Sequence, residues 1–291
     1  MVAPNPEDAV PAARRLLSPC RVCPRRCGAD RSGGKAGFCG IGVTPRIASA
    51  GAHFGEEDVL VGSGGSGAIF FQGCNLRCVF CQNYDISANP AGGTEAAPDQ
   101  ISRIMLRLQR SGCGNINLVT PTHVAPQCLE AIALARRDGL KLPVVYNCGG
   151  YESVEMLRLL EGAVEIYMPD FKYASAEPGR KYSAAEDYPT VARAALAEMY
   201  RQVGPLQVNA DGLARRGVMV RHLVLPMDLA QSRKVLDLVA ETAPGCGLNV
   251  MGQYRPCYRA GEFPELLLQP AGKEIARLRE YAARLGLRRL D

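Results

Sequence analysis

Short runs of apolar and β-branched residues recur along the chain at Ala68–Gln72, Asn115–Thr120, Pro143–Asn147, Val164–Asp170, Val218–Leu225 and Leu248–Gln253. Between them the apolar positions take helical spacing. Cys128, Leu129, Ile132 and Ala135 make one stripe, and Val191, Ala195 and Met199 another. Ile275, Leu278, Ala282 and Leu285 form the last, on a helix expected over 272–285. Strand–helix alternation predicts parallel strands with helices outside them. Six such units predict an α/β fold, a partial (β/α)6 barrel rather than the complete eightfold one.

The chain before the first run reads differently. Residues 1–15 are rich in Pro and Ala, and a loose or weakly helical lead-in is expected. Residues 18–40 hold four cysteines among Gly, Arg and Pro with few core-forming side chains, which predicts a small metal-stapled knot. Residues 46–66 are Gly/Ser-rich and irregular, and 62–67 read as a flexible approach to the first strand. Two parts follow: a small cysteine-rich N-terminal metal-binding segment with its lead-in over 1–47, and the barrel over 48–291.

Composition narrows the class. Of 291 residues, 47% are hydrophobic and 22% charged, as in ordinary globular proteins. The net charge of +5 is spread without a Lys/Arg block. That favours a solvated surface over nucleic-acid binding, and it suits docking of an acidic electron donor such as flavodoxin or ferredoxin. No apolar run is long enough to span a membrane and no secretory signal pattern opens the chain, so a cytoplasmic protein is expected. Twelve cysteines then point to thiolate–metal ligation rather than disulfides, and seven of them fall in two tight groups.

The second group is Phe70-Phe71-Gln72-Gly73-Cys74-Asn75-Leu76-Arg77-Cys78-Val79-Phe80-Cys81-Gln82-Asn83, a C-x3-C-x2-C spacing directly after a strand. Three thiolates on one loop can each take one iron of a cubane cluster, and with no fourth cysteine nearby one iron stays open to another ligand. A zinc knuckle is the competing reading, but structural zinc asks for four ligands, usually in two separated pairs.

These residues resemble the radical S-adenosylmethionine superfamily. The run through Cys-Gln-Asn is similar to that of the pyruvate formate-lyase-activating enzymes and, more closely, of their activating-enzyme-like relatives. Those relatives also open with a Cys-x-x-Cys-Pro-Arg-x-Cys segment, as at Cys20 to Cys27. The resemblance extends to Arg221–Pro226 and Gln253–Pro256. It implies a [4Fe–4S] cluster on Cys74, Cys78 and Cys81, and S-adenosylmethionine chelated at the open iron. Cleavage of that cofactor under anaerobic conditions would yield a 5′-deoxyadenosyl radical. Phe80 matches the aromatic near adenine, with plain core packing as the alternative. Asp170 and Lys172 resemble an Asp-x-Lys cofactor motif. Asn147, Met168 and Asp170 resemble a monovalent-cation site. Asn147 and Gln253 are placed with Phe80, Asp170 and Lys172 as cofactor contacts at the strand ends. The family's Gly-Gly-Glu is absent; Thr120-Pro121-Thr122-His123 stands there. Thr120, Thr122 or His123 is the candidate replacement, through neutral hydrogen bonds, with a helix N-cap role for Thr122 equally open.

The first group, Cys20, Cys23, Cys27 and Cys39, supplies four thiolates on a short segment and reads as a complete site, structural or electron-relaying. Zinc and a second iron–sulfur cluster both remain open. Of the other cysteines, Cys128 is expected in the core, while Cys148 and Cys257 fall near the predicted mouth. His53–Glu57 reads as a solvated loop or a substrate contact, and His222 as a satisfied core histidine. Two functions follow: activation of a protein partner through a backbone glycine, as in glycyl-radical enzymes, or the same radical step on a small molecule or peptide. A pure electron carrier would saturate its cluster.

Overall fold

The computed structural model describes residues 5–290. The six apolar runs become six parallel strands: β1 (Ser66–Phe71), β2 (Ile116–Val119), β3 (Val144–Cys148), β4 (Ile166–Pro169), β5 (Ala214–Leu223) and β6 (Gly247–Met251). They lie side by side in chain order. Arg46–His53 adds antiparallel to β1, with Thr94–Glu95 outside it, and Arg288–Arg289 adds parallel to β6. These outer strands end the sheet without pairing to each other, so the barrel is partial. Helices fill every crossover: Pro98–Arg110, Ala125–Arg137, Val154–Leu159, Ala176–Ser183 with Tyr188–Val203, and Ser232–Thr242. Gly272–Arg284 follows the last strand.

Register divides the side chains into two sets, because alternate residues of a strand face opposite ways. Ile69, Leu118, Tyr146, Tyr167 and Val218 are aligned across five strands, and all belong to the large core under the helices. The intervening rows face the lumen: Asn117, Val145 and Ile166 in one, and Phe70, Val119, Asn147 and Met168 in the next. The lower lumen is filled by a second core of Leu60, Val145, Ile166, Met168, Leu206, Ala214 and Met219. Polar side chains are left to the upper lumen and the strand ends.

Three expectations change. Residues 46–66 are not irregular: they carry the strand Arg46–His53 and the short helix Asp58–Val61, whose Leu60 plugs the lumen. The glycines after it serve close packing, not flexibility. A Cβ on Gly64 would sit 1.9 Å from the Gly112 carbonyl oxygen, and one on Gly67 2.6 Å from that of Asn115. The lead-in is a firm helix, Pro6–Arg15, with the Asn5 side chain accepting the Glu7 N–H. It packs on Ala125–Arg137, and Ala13, Leu16, Leu17, Cys20, Val22 and Ile41 join the main core. The first four residues of that expected lead-in lie outside the described residues. No helix among the described residues is long and apolar enough to cross a membrane.

Candidate active site

The loop after β1 turns at Gly73, whose φ of +78° is left-handed and whose Cβ would meet the Cys39 carbonyl oxygen at 2.6 Å. From there the loop is held on several sides. Val79 N–H donates to the Tyr182 carbonyl at 2.9 Å, and Arg77 N–H donates to that of Ser183. The Asn75 side chain donates to the Tyr151 carbonyl at 2.7 Å, and Arg259 N–H donates to the Val79 carbonyl. Each candidate sulfur has a polar neighbour: the Leu76 N–H at 3.3 Å from Cys74 Sγ, Ser183 Oγ at 3.0 Å from Cys78 Sγ, and Ser87 Oγ at 3.2 Å from Cys81 Sγ. Burial pushes the Cys74 and Cys78 thiols up, as does the negative charge of the neighbouring sulfurs, while Lys172 pulls both down. They ionise when a metal displaces their protons, which is the chemistry of an iron–sulfur ligand set. A cavity of about 230 Å³ opens on Cys74 and Cys78, rimmed by Arg77, Ser87, Tyr258 and Arg259. No group of three or more Cys, His, Asp or Glu among the described residues is arranged to hold a metal ion. A cubane, in contrast, asks for sulfurs spread round a cluster.

The strand ends bring the other predicted residues to this mouth unevenly. Lys172 Nζ and Asp170 Oδ2 form an ion pair at 2.5 Å, with side chains 18% and 25% exposed, so both can still meet a ligand. Burial alone would lower the Lys172 ammonium, but Asp170 and Cys78 hold it well above its ordinary value. Asn147 and Met168 share the lumen face beneath them. Phe80 is buried edge-to-face on Tyr254, at a centroid distance of 6.1 Å. Gln253 is exposed, and its carbonyl accepts from the Gln82 side chain at 3.3 Å.

The segment at the end of β2 differs from expectation. Thr122 caps no helix: its hydroxyl donates to Glu152 Oε1 at 2.7 Å, and both residues are buried. Thr120, a β-branched residue, takes a left-handed φ of +58°. Such strain costs on the order of 1–3 kcal/mol and gathers at functional sites. His123 is buried with Nε2 2.7 Å from the Gln72 carbonyl, and burial lowers it to about 4, so it stays neutral. His222 is the satisfied core histidine expected, between the Phe171 carbonyl and Ser232 Oγ.

Glu152 was not legible in the sequence. It is buried behind β3, accepts from Thr122 and Tyr146, and adjoins Cys148, which is buried on the outer face and not at the mouth. Burial raises its carboxyl from 4.5 to about 7, against the pull of those donors. The folded state thus holds this proton more tightly than the unfolded chain, and the stabilisation is lost as pH rises through about 7. Unfolding free energy is expected to fall by up to about 3 kcal/mol from this group between about pH 5 and pH 8. Glu152→Gln should flatten that slope in urea titrations; an unchanged slope would refute the assignment.

Two of the N-terminal cysteines flank a glycine. A Cβ at Gly37 would stand 3.3 Å from Cys27 Sγ and 3.6 Å from Cys39 Sγ, so the absent side chain leaves a cradle between sulfurs. Cys20 lies within hydrogen-bonding reach of Cys27. Burial raises Cys23 to about 12. Beside them Arg31 is fully buried. Its donors go to the Gly42 and His123 carbonyls and, at 3.9 Å, to Cys20 Sγ. Among the described residues no ion pair reaches it.

A partial parallel barrel with three sulfurs on the loop after its first strand defines a class, and sequence comparison agrees. The profile of the radical SAM superfamily matches residues 68–204. A protein of Methanocaldococcus jannaschii described as uncharacterized is 32% identical over 296 residues, covering 98% of this chain and 81% of its own. The pyruvate formate-lyase-activating enzyme of Clostridium pasteurianum is 32% identical over 94 residues, 30% of this chain and 39% of that enzyme. The chain belongs to the radical SAM superfamily, which implies a [4Fe–4S] cluster and S-adenosylmethionine.

Proposed function

We propose that the chain is an activating-enzyme-like oxidoreductase that abstracts hydrogen from a protein partner, at a backbone glycine. Cys74, Cys78 and Cys81 hold the cluster. Asp170 and Lys172 orient the cofactor with Asn147 and Gln253, Phe80 backs it, and Thr122 acts through Glu152. When bound, cluster and S-adenosylmethionine together supply a one-electron reductive cleavage that generates a hydrogen-abstracting radical. The protein's own residues bind, orient and exclude water. The observation that carries the reading is the three-sulfur loop clamped at the mouth beside an ion pair that is only part-buried. The open sheet supports a polypeptide substrate, as does the local match to an activating enzyme. Arg77 at the rim suits an acidic flavodoxin or ferredoxin as electron donor.

The test is electron paramagnetic resonance on reduced enzyme, S-adenosylmethionine and candidate partners. A glycyl doublet on the partner is expected. Deuterium transfer from a labelled metabolite into 5′-deoxyadenosine, with no protein radical, would replace this reading by the small-molecule one. A single change probes the cofactor contact. Asp170→Asn loses a charge-assisted hydrogen bond of about 1.5–3 kcal/mol, a roughly ten- to hundredfold rise in Kd for S-adenosylmethionine. Calorimetric titration giving wild-type affinity would make the pair merely structural.

The N-terminal segment, 1–47, we take as a metal-thiolate appendage to the barrel. A buried cation needs a counter-charge, and thiolates of Cys20, Cys23, Cys27 and Cys39 around a metal would supply it to Arg31. Changing Cys23 and Cys27 to Ser together is expected to lower zinc or iron content and stability, with some cofactor cleavage retained. Unchanged metal content would remove this site.

A further inference from the structure

Beneath the mouth, the lumen holds charged side chains that the reading above does not use. Arg221 on β5 pairs in register with Asp170, so the two side chains share the lumen face. Its Nε and Nη2 donate to Glu57 Oε1 and Oε2 at 2.8 and 2.7 Å, and Nη2 also donates to Glu56. Asn249 on β6 donates to Glu57 at 2.9 Å, and Asn117 on β2 donates to Glu56 Oε1 at 3.1 Å. The segment His53–Glu57 is therefore no solvated loop at its acidic end. The Glu56 and Glu57 side chains are 6% and 3% exposed, inside the barrel.

Two features leave this floor incomplete. Three carboxylates, on Asp170, Glu56 and Glu57, face two cations, on Lys172 and Arg221. Burial raises the Glu57 carboxyl, yet Arg221 and Asn249 hold it below its ordinary value, so it does not escape by taking a proton. Independently, Asn117 is fully buried and its Oδ1 accepts no hydrogen bond. Asn117 is aligned with Val145 on the lumen face, and its Nδ2 contact to Glu56 fixes which way the amide sits. A neutral hydroxyl or water would satisfy the orphan acceptor but not the surplus charge. A donor that is itself a cation satisfies both.

We propose that the floor made by Glu56, Glu57 and Asn117 receives an alkylammonium group of the substrate, such as a lysine side chain carries. The proposal rests on the reading of the mouth as the place where substrate meets the radical. Arg221 stays bound to both carboxylates and sets their position, while Asn117 Oδ1 and the free lone pairs of Glu56 accept the ammonium protons.

The test uses reconstituted holoenzyme at constant KCl and three probes: N-acetyl-lysine N-methylamide, its neutral ε-acetylated form, and n-butylammonium. By equilibrium dialysis the charged amide is expected to bind at least about tenfold more tightly than the neutral one. Glu56→Gln should erase that preference. Should the variant not fold, the comparison on the wild-type protein still decides. Weaker binding of n-butylammonium than of the lysine amide points to a peptide source, and equal binding to a free amine; both support the cation site. Equal binding of charged and neutral amides overturns it. So does competitive displacement of the charged amide by S-adenosylmethionine, which would mean that the floor serves the cofactor. Uncoupled cofactor cleavage, assayed on the same wild-type preparation, reports separately on the radical reading. Its absence would sink that reading and leave the binding result standing.

Discussion

Cys78→Ala is expected to bring 5′-deoxyadenosine formation down to that of an enzyme-free control, and to lower iron content, while the fold persists. Two thiolates cannot hold a cubane that must keep one iron open and three anchored. Survival of the fold follows from how the loop is built. Its neighbours Arg77 and Val79 are tied through backbone N–H groups to the Ser183 and Tyr182 carbonyls, and Ala keeps those bonds. What goes is a part-buried sulfur whose polar contact is the Ser183 hydroxyl, itself also bonded to Tyr173. Far-UV circular dichroism and melting should stay near wild type. Cofactor cleavage at the wild-type rate in anaerobic, reconstituted Cys78→Ala would defeat the assignment of the radical centre.

Arg221→Met should be among the most destabilising single changes in the barrel, by about 3–5 kcal/mol. Met matches much of the aliphatic volume, so the loss is of charge rather than packing. Glu56 and Glu57 would remain in the lumen with Asn117 and Asn249 as donors but without a cation. Both carboxylates are poorly hydrated at so little exposure, so solvent offsets the loss of the guanidinium only weakly. Denaturant titration should show the drop, and Arg221→Met with Glu56→Gln and Glu57→Gln should regain most of it, since neighbours in one network are not additive. No recovery in the triple variant would mean that Arg221 acts through packing alone.

The sequence made the strands legible because buried parallel strands are continuous apolar runs, and the three-cysteine loop after the first strand legible because its cysteines are local. The antiparallel strand Arg46–His53 was hidden by its small residues: Ala, Gly and Ser blur the alternation that marks a strand. Glu152, Arg31 and the Glu56–Glu57 pair were hidden for another reason. Each takes its meaning from a partner far along the chain, such as Arg221 for the adjacent acids. A signal did exist: an arginine within the apolar run Val218–Leu225 demands a buried anion. Nothing in the sequence named which acid would answer it. Thr122 is no helix cap because it lies within the short turn Thr122–Val124, and the cap position of Ala125–Arg137 falls on Val124.

The tight fit of Gly73 under the Cys39 carbonyl joins the two cysteine loops back to back, and Phe38 reinforces the joint, with Arg25 and Arg77 each 4.3 Å from its ring. Arg25 also ties that joint to the Asn75 carbonyl. Neither loop can swing outward without dragging its neighbour, so the two thiol groups form a single mechanical hinge plate. A displacement of either loop is thereby passed on to the other through the Gly73–Cys39 joint.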